Sequence, residues 1–100
     1  MNYENNSKKK LVEYYTANPR SRSMLEDWYQ KTKRSKWNNF ADIRATFNTV
    51  SSDGNNRYVF NIKGNDYRLV VLIKFKPSHV LIRFVGTHAE YDRIADITKI

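Results

Sequence analysis

The sequence predicts an α+β domain in which helices come first and a small antiparallel sheet follows. The first half is polar with apolar residues at helical spacing, the second half runs in short β-rich segments, and the change falls at Ser51-Ser52-Asp53-Gly54-Asn55-Asn56. Helices and strands are therefore segregated rather than alternating. One hundred residues form a single domain, 1–100, with one modest core.

The elements follow in order. Ser7 is read as the cap of a first helix carrying Leu11, Tyr14 and Tyr15 at i, i+3 and i+4. Asn18-Pro19 then supplies the cap and first position of a second helix, whose stripe is Leu25, Trp28, Tyr29 and Thr32. A short third helix from about Asn39 carries Phe40, Ile43 and Phe47. Strands are expected at 57–62, 66–75 and 80–87, separated by turns at Gly64-Asn65 and Pro77-Ser78. Tyr91, Ile94 and Ala95 share helical spacing, which predicts a short closing helix within 89–97.

Two-residue turns fix a register. The first sets Asn61 opposite Arg68 and Phe60 opposite Leu69; the second sets Phe75 opposite Val80, Leu72 opposite Arg83 and Arg68 opposite Thr87. One face then gathers Phe60, Leu69, Ile82 and Phe84 and meets the helices. The other gathers Asn61, Arg68, Lys74 and Arg83 among small aliphatic residues.

Eighteen Lys and Arg against ten Asp and Glu give a net charge of +8 and a pI near 9.8, a footprint that suits a polyanionic partner such as nucleic acid. There is no cysteine and there are two histidines, His79 and His88, too few for a zinc centre, so no metal or other cofactor is expected. The most apolar run, 69–75, is strand-length, and the polar start resembles no secretion signal, so a cytoplasmic protein without membrane association is expected.

Arg68 and Arg83 on one face suit bidentate phosphate contact, with Asn61 beside Arg68 to orient substrate. His88 ends the last strand in Thr87-His88-Ala89-Glu90-Tyr91-Asp92, where it can exchange protons. Tyr91 can stack on a base or donate a hydrogen bond, and Asp92 can orient His88. Thr87 can equally be a helix cap, which gives the same segment a structural reading. Lys8, Lys9 and Lys10 oppose a helix dipole at its N-terminus and so fit RNA contact better than helix stability. Lys31-Thr32-Lys33-Arg34-Ser35-Lys36 complements a helix C-terminus, and His79 reads as surface.

The segments Val59-Phe60-Asn61-Ile62-Lys63-Gly64-Asn65-Asp66-Tyr67-Arg68-Leu69-Val70 and Ile82-Arg83-Phe84-Val85-Gly86-Thr87-His88-Ala89-Glu90-Tyr91-Asp92, with Trp28-Tyr29, Trp37 and Ala41-Asp42-Ile43 upstream, resemble the HigB family of toxins across about residues 11–98. The resemblance implies a RelE-like fold, ribosome-dependent cleavage of messenger RNA, and silencing by a HigA-like antitoxin with a helix-turn-helix domain. Carried over by position, Arg68 and Arg83 match the family's sheet arginines, and His88 and Tyr91 match its Thr-His-x-x-Tyr-Asp segment. The family usually opens with a short strand, for which the polar Met1-Asn2-Tyr3-Glu4-Asn5-Asn6 offers no pattern. Two other readings keep the fold: an RNA- or ribosome-binding module without catalysis, and a domain whose basic face meets an acidic protein.

Overall fold

A computed structural model of the chain describes residues 1–3 and 7–100. The helices are α1 (Ser7–Ala17), α2 (Arg22–Arg34), α3 (Phe40–Thr46) and α4 (His88–Asp92), with 3₁₀ turns at Pro19–Ser21 and Ile97–Lys99. The strands β1 (Ser51–Gly54), β2 (Arg57–Ile62), β3 (Tyr67–Lys74) and β4 (His79–Thr87) form one antiparallel sheet in sequence order. The α+β class is as expected.

The helical half forms where the apolar stripes lie. Pro19 occupies the first position of the 3₁₀ turn leading into α2, where its missing N–H costs no hydrogen bond. Asn39 caps α3 by accepting from the Asp42 amide at 3.0 Å. Leu11, Leu25, Trp28 and Ile43 are almost fully buried against Phe60, Leu69, Val71 and Ile82 of the sheet. Trp28 is the centre of this layer, with ring centroids 5.3 Å from Phe60 in an edge-on pair and 6.4 Å from Phe47.

Ser7 does not cap α1. It is the first helical residue, fully buried, and its hydroxyl donates to the Val80 carbonyl across the sheet edge at 3.4 Å. Lys10 does the same for Ile82, its ammonium 2.9 Å from the carbonyl. β4 is an edge strand with carbonyls that lack a neighbouring strand, and α1 supplies donors to them. Tyr3 adds a single parallel bridge to Val80, with the Val80 amide donating to Asn2 at 2.8 Å. That bridge is all that the polar start contributes in place of a first strand among the described residues.

The second sheet edge is β1, a polar strand over Ser51–Gly54 where the sequence suggested only a boundary. Asn55 and Asn56, both with positive φ, close the hairpin to β2, the geometry that twisted hairpins require. The β2–β3 pairing keeps the expected register, Asn61 with Arg68 and Phe60 with Leu69.

The β3–β4 pairing does not. A four-residue loop, 75–78, joins the strands in place of a two-residue turn, so Leu72 pairs with Leu81 and Ile73 with Val80. The register then slips between Val71–Ile82 and Val70–Phe84, leaving Arg83 as the extra residue of a bulge. Beyond it the faces exchange. Phe84 joins Val70 and Gly86 on the face away from α1 and α2, while Val85 pairs with Leu69 and packs on the core. The expectation that Phe84 is a core residue is corrected by this one insertion, and Arg68 pairs with Gly86 rather than Thr87.

The outer face is not open throughout. Val59 and Val70 are buried there, and α4 packs on β3 and β4 while the Ile97–Lys99 turn packs on β1. Asn55 donates to the Thr98 carbonyl at 2.8 Å, and Arg57 donates to the Ile100 carbonyl. The predicted closing helix is thus shorter, ending at Asp92, and the rest of the tail straps the sheet.

Two predictions follow from this packing. A methyl group at Gly86 would stand 2.5 Å from Cζ of Phe84 and 3.0 Å from the Glu90 carboxylate. Gly86→Ala therefore costs about 1–3 kcal/mol by overpacking, read as a lower urea midpoint at unchanged slope, and Gly86→Ala with Phe84→Leu recovers part of it. Burial raises the phenol pKa of Tyr3 well above its usual value and pushes Tyr14 up to about 12. Both hold their protons to higher pH when folded than when unfolded, so their contribution to stability is complete below about pH 10 and drains away as the pH rises through the folded values. Melting temperature should fall steeply above that pH, with phenolate absorbance rising together with unfolding.

Candidate functional site

The site forms where the β2–β3 turn meets the start of α4. Thr87 caps that helix: its hydroxyl accepts from the Glu90 amide at 3.1 Å, and the Glu90 carboxylate accepts from the Thr87 amide at 2.8 Å. This reciprocal capping box anchors a five-residue helix too short to hold itself. The His88 amide donates to the Asp66 carbonyl at 3.1 Å, tying the helix start to the turn.

On α4, His88 and Asp92 are one turn apart. Nδ1 of His88 lies 2.8 Å from Oδ2 of Asp92, with side-chain exposures of 42% and 59%, so the pair is open to a substrate. A carboxylate on Nδ1 orients the ring and leaves Nε2 facing outward. Tyr91 projects from the same helix. Its ring meets Phe84 at 6.5 Å, and the Arg68 guanidinium sits 6.0 Å from its centroid. Burial raises the Tyr91 pKa, with Asp53 adding to the effect and Arg68 opposing it. The phenol is therefore a hydrogen-bond donor at neutral pH.

Arg68 is held in place by Asn65, whose side-chain oxygen accepts from Nη2 at 2.6 Å. Asn61 lies beside it across the β2–β3 ladder, exposed. Arg68, Tyr91, His88 and Asn61 thus gather at one end of the outer face, an arrangement able to hold an anion next to a proton-transfer pair.

Other expected residues lie elsewhere. Arg83, on its bulge, is exposed and lines an open groove of about 400 Å³ between α1 and β4 with Lys10, Glu13, Tyr14 and Phe84. Lys74 is at the far end of β3, paired with His79 across the ladder. The three lysines of α1 diverge: Lys8 sits 4.3 Å over the Tyr29 ring, Lys9 pairs with Glu13 at 3.8 Å, and Lys10 reaches the β4 carbonyl. Asn65 and Glu90 escaped the sequence reading. Glu90 had a legible signal, Thr-x-x-Glu at a helix start, whereas Asn65 was absorbed into a turn. Among the described residues no three of His, Cys, Asp and Glu come together as metal ligands, and no helix is long and apolar enough to cross a membrane.

The mRNA interferase toxin HigB of Escherichia coli strain K12 is 49% identical over 35 residues, which cover 35% of this chain and 34% of that protein. The chain therefore matches about a third of the length of that relative. The mRNA interferase HigB of Escherichia coli O6:H1 is 24% identical over 78 residues, 76% of each chain. A family model described as the RelE-like toxic component of a toxin–antitoxin system, the HigB toxin, matches residues 21–94, from α2 through the sheet and α4. Matched over that span, and carrying the helices-then-sheet fold within it, the chain belongs to the HigB toxin family.

Proposed function

We propose that the chain is the toxin of a toxin–antitoxin pair and acts in the cytoplasm as a metal-independent endoribonuclease that cleaves messenger RNA on the ribosome and so inhibits translation. The observation that carries this reading is the His88–Asp92 pair at 2.8 Å on the same helical turn as Tyr91, with Arg68 against the Tyr91 ring. The printed names of the relatives, mRNA interferases, point the same way.

RNA supplies its own nucleophile, the 2′-hydroxyl. In this reading His88 accepts that proton at Nε2, Asp92 stabilises the imidazolium formed, and the 2′-oxygen attacks the neighbouring phosphorus. The bond to the 5′-oxygen breaks, the proton passes to that oxygen, and a 2′,3′-cyclic phosphate and a 5′-hydroxyl remain. Arg68 stabilises the charge building on the phosphate, Tyr91 donates a hydrogen bond or stacks on a base, and Asn61 orients the strand. Arg83 holds the RNA farther along, and Lys8, Lys9, Lys10 and Lys74 add attraction over distance. The ribosome supplies the positioning of the message that this small site lacks. A HigA-like antitoxin with a helix-turn-helix domain silences the protein by covering Arg68, Arg83 and His88 or by propping that face open.

Cleavage on translating ribosomes, mapped by primer extension and by end-group analysis for the cyclic phosphate, tests these roles. Arg68→Ala should slow cleavage by about 2–4 kcal/mol of transition-state stabilisation, and Arg68→Lys should restore only part because lysine lacks the planar fork. His88→Ala should cost about 10²-fold or more with ribosome association retained, and Asp92→Asn an intermediate amount. Parental rates in His88→Ala would move the proton to another group. Ribosome binding with no cleavage by the parent would leave a non-catalytic binder.

A further inference from the structure

The groove between α1 and the bulged edge of β4 has no part in the proton-transfer centre, yet the two share a wall. Phe84 lines the groove on one side and meets Tyr91 at 6.5 Å on the other. We infer that this groove is a second nucleotide subsite, taking the base and phosphate next to the scissile position on the same single strand. The inference rests on the endoribonuclease reading and extends it to a further binding site.

Four features carry it. The bulge at Arg83 turns Phe84 away from the core, and Gly86 beneath it leaves room for the ring, so a half-buried aromatic ring lies at the groove's wall. Such a ring stacks with any base. The groove holds about 400 Å³, within the roughly 300–1,000 Å³ of small-ligand sites and suited to one nucleotide. Its rim carries two cations, Arg83 and Lys10, against one carboxylate, Glu13. Lys10 spends one donor on the Ile82 carbonyl and keeps others for a phosphate. Finally, two rings lie between two cations: Arg68 lies over Tyr91, Tyr91 meets Phe84, and Phe84 adjoins Arg83. Two neighbouring bases of a single strand with phosphates on either side present the complementary order. An acidic peptide would use the cations but not the half-buried Phe84 ring, so RNA is the occupant the groove fits.

The test measures binding of fluorescein-labelled 2′-O-methyl oligoribonucleotides to the full chain by anisotropy, the methyl group blocking the nucleophile. A hexamer long enough to fill both sites should bind about tenfold or more tighter than a trimer, given what one stacked base contributes. Phe84→Leu and Arg83→Ala should collapse that ratio towards one, and Arg83→Ala should also reduce the salt slope of hexamer binding by about 0.7. Glu13→Lys, on an exposed helix face, should raise the ratio. Arg68→Ala should weaken both oligomers and preserve it. Circular dichroism identifies any variant that fails to fold, and the exposed Arg83 and Glu13 changes decide the matter if Phe84→Leu does. A ratio unmoved by Arg83→Ala and Glu13→Lys, with Arg68→Ala still harmful, overturns the subsite and leaves the RNA reading standing. No binding of either oligomer, with or without ribosomes, overturns the RNA reading itself. Groove variants that lose antitoxin binding but keep the hexamer-to-trimer ratio assign the groove to protein and overturn the inference.

Discussion

One extra residue in β4 sets the geometry of everything beyond it. Strand side chains alternate with a period of two, so an insertion exchanges the faces of all later positions. Up to Ile82 the core-facing set of β4 is even-numbered, Val80 and Ile82. After Arg83 it is Val85 that packs on the core, and Phe84 and Gly86 turn outward. Without the bulge Phe84 would face the core and compete with the Trp28 layer for space. The outward ring, the clearance over Gly86 and the capping box at Thr87 form a single sequence of consequences that ends with His88, Tyr91 and Asp92 on the outer face.

The two sides of the sheet do different work. The inner side is aromatic and closed, with Trp28, Phe47 and Phe60 in edge-on and stacked contacts that fix their relative positions. It therefore supplies a rigid floor. On the outer side, α4 is short, fastened by Thr87, Glu90 and the Asp66 carbonyl rather than by a core of its own. Arg68 is fastened by Asn65 in the same way. The groups of the candidate site thus depend on a shell of hydrogen bonds laid on a stiff sheet, and small changes in that shell shift them without unfolding the protein.

The parts of this arrangement that were legible in the sequence are those with a local signal. Gly64-Asn65 fixed the β2–β3 register because a two-residue turn has few alternatives, and Leu25, Trp28 and Thr32 marked the buried face of α2 by spacing alone. β1 was hidden because a polar edge strand, Ser51–Gly54, buries nothing and so shows no alternation. The bulge was hidden because Phe84 and Val85 are both apolar, so either could serve as the core residue and the pattern cannot distinguish them. The 75–78 loop contains Pro77-Ser78, which reads as a tighter turn than the one formed. For the site, the i, i+4 spacing of His88 and Asp92 was readable, but the separation of Arg83 from Arg68 was not, since it follows from the bulge.

The contacts of α1 with β4 join residues more than seventy positions apart: Ser7 to Val80 and Lys10 to Ile82. The helix is the first regular element and its docking surface is the last strand. Such distant partners place a large loop-closure entropy before the reward of packing and slow folding. A chain emerging in order from its N-terminus carries α1 with only α2 and the turn before it to pack on until β4 has appeared, and α4 follows directly after β4. Assembly of the sheet edge, the groove beside it and the helix that bears His88 thereby waits for β4, so a chain that has not reached β4 lacks all three.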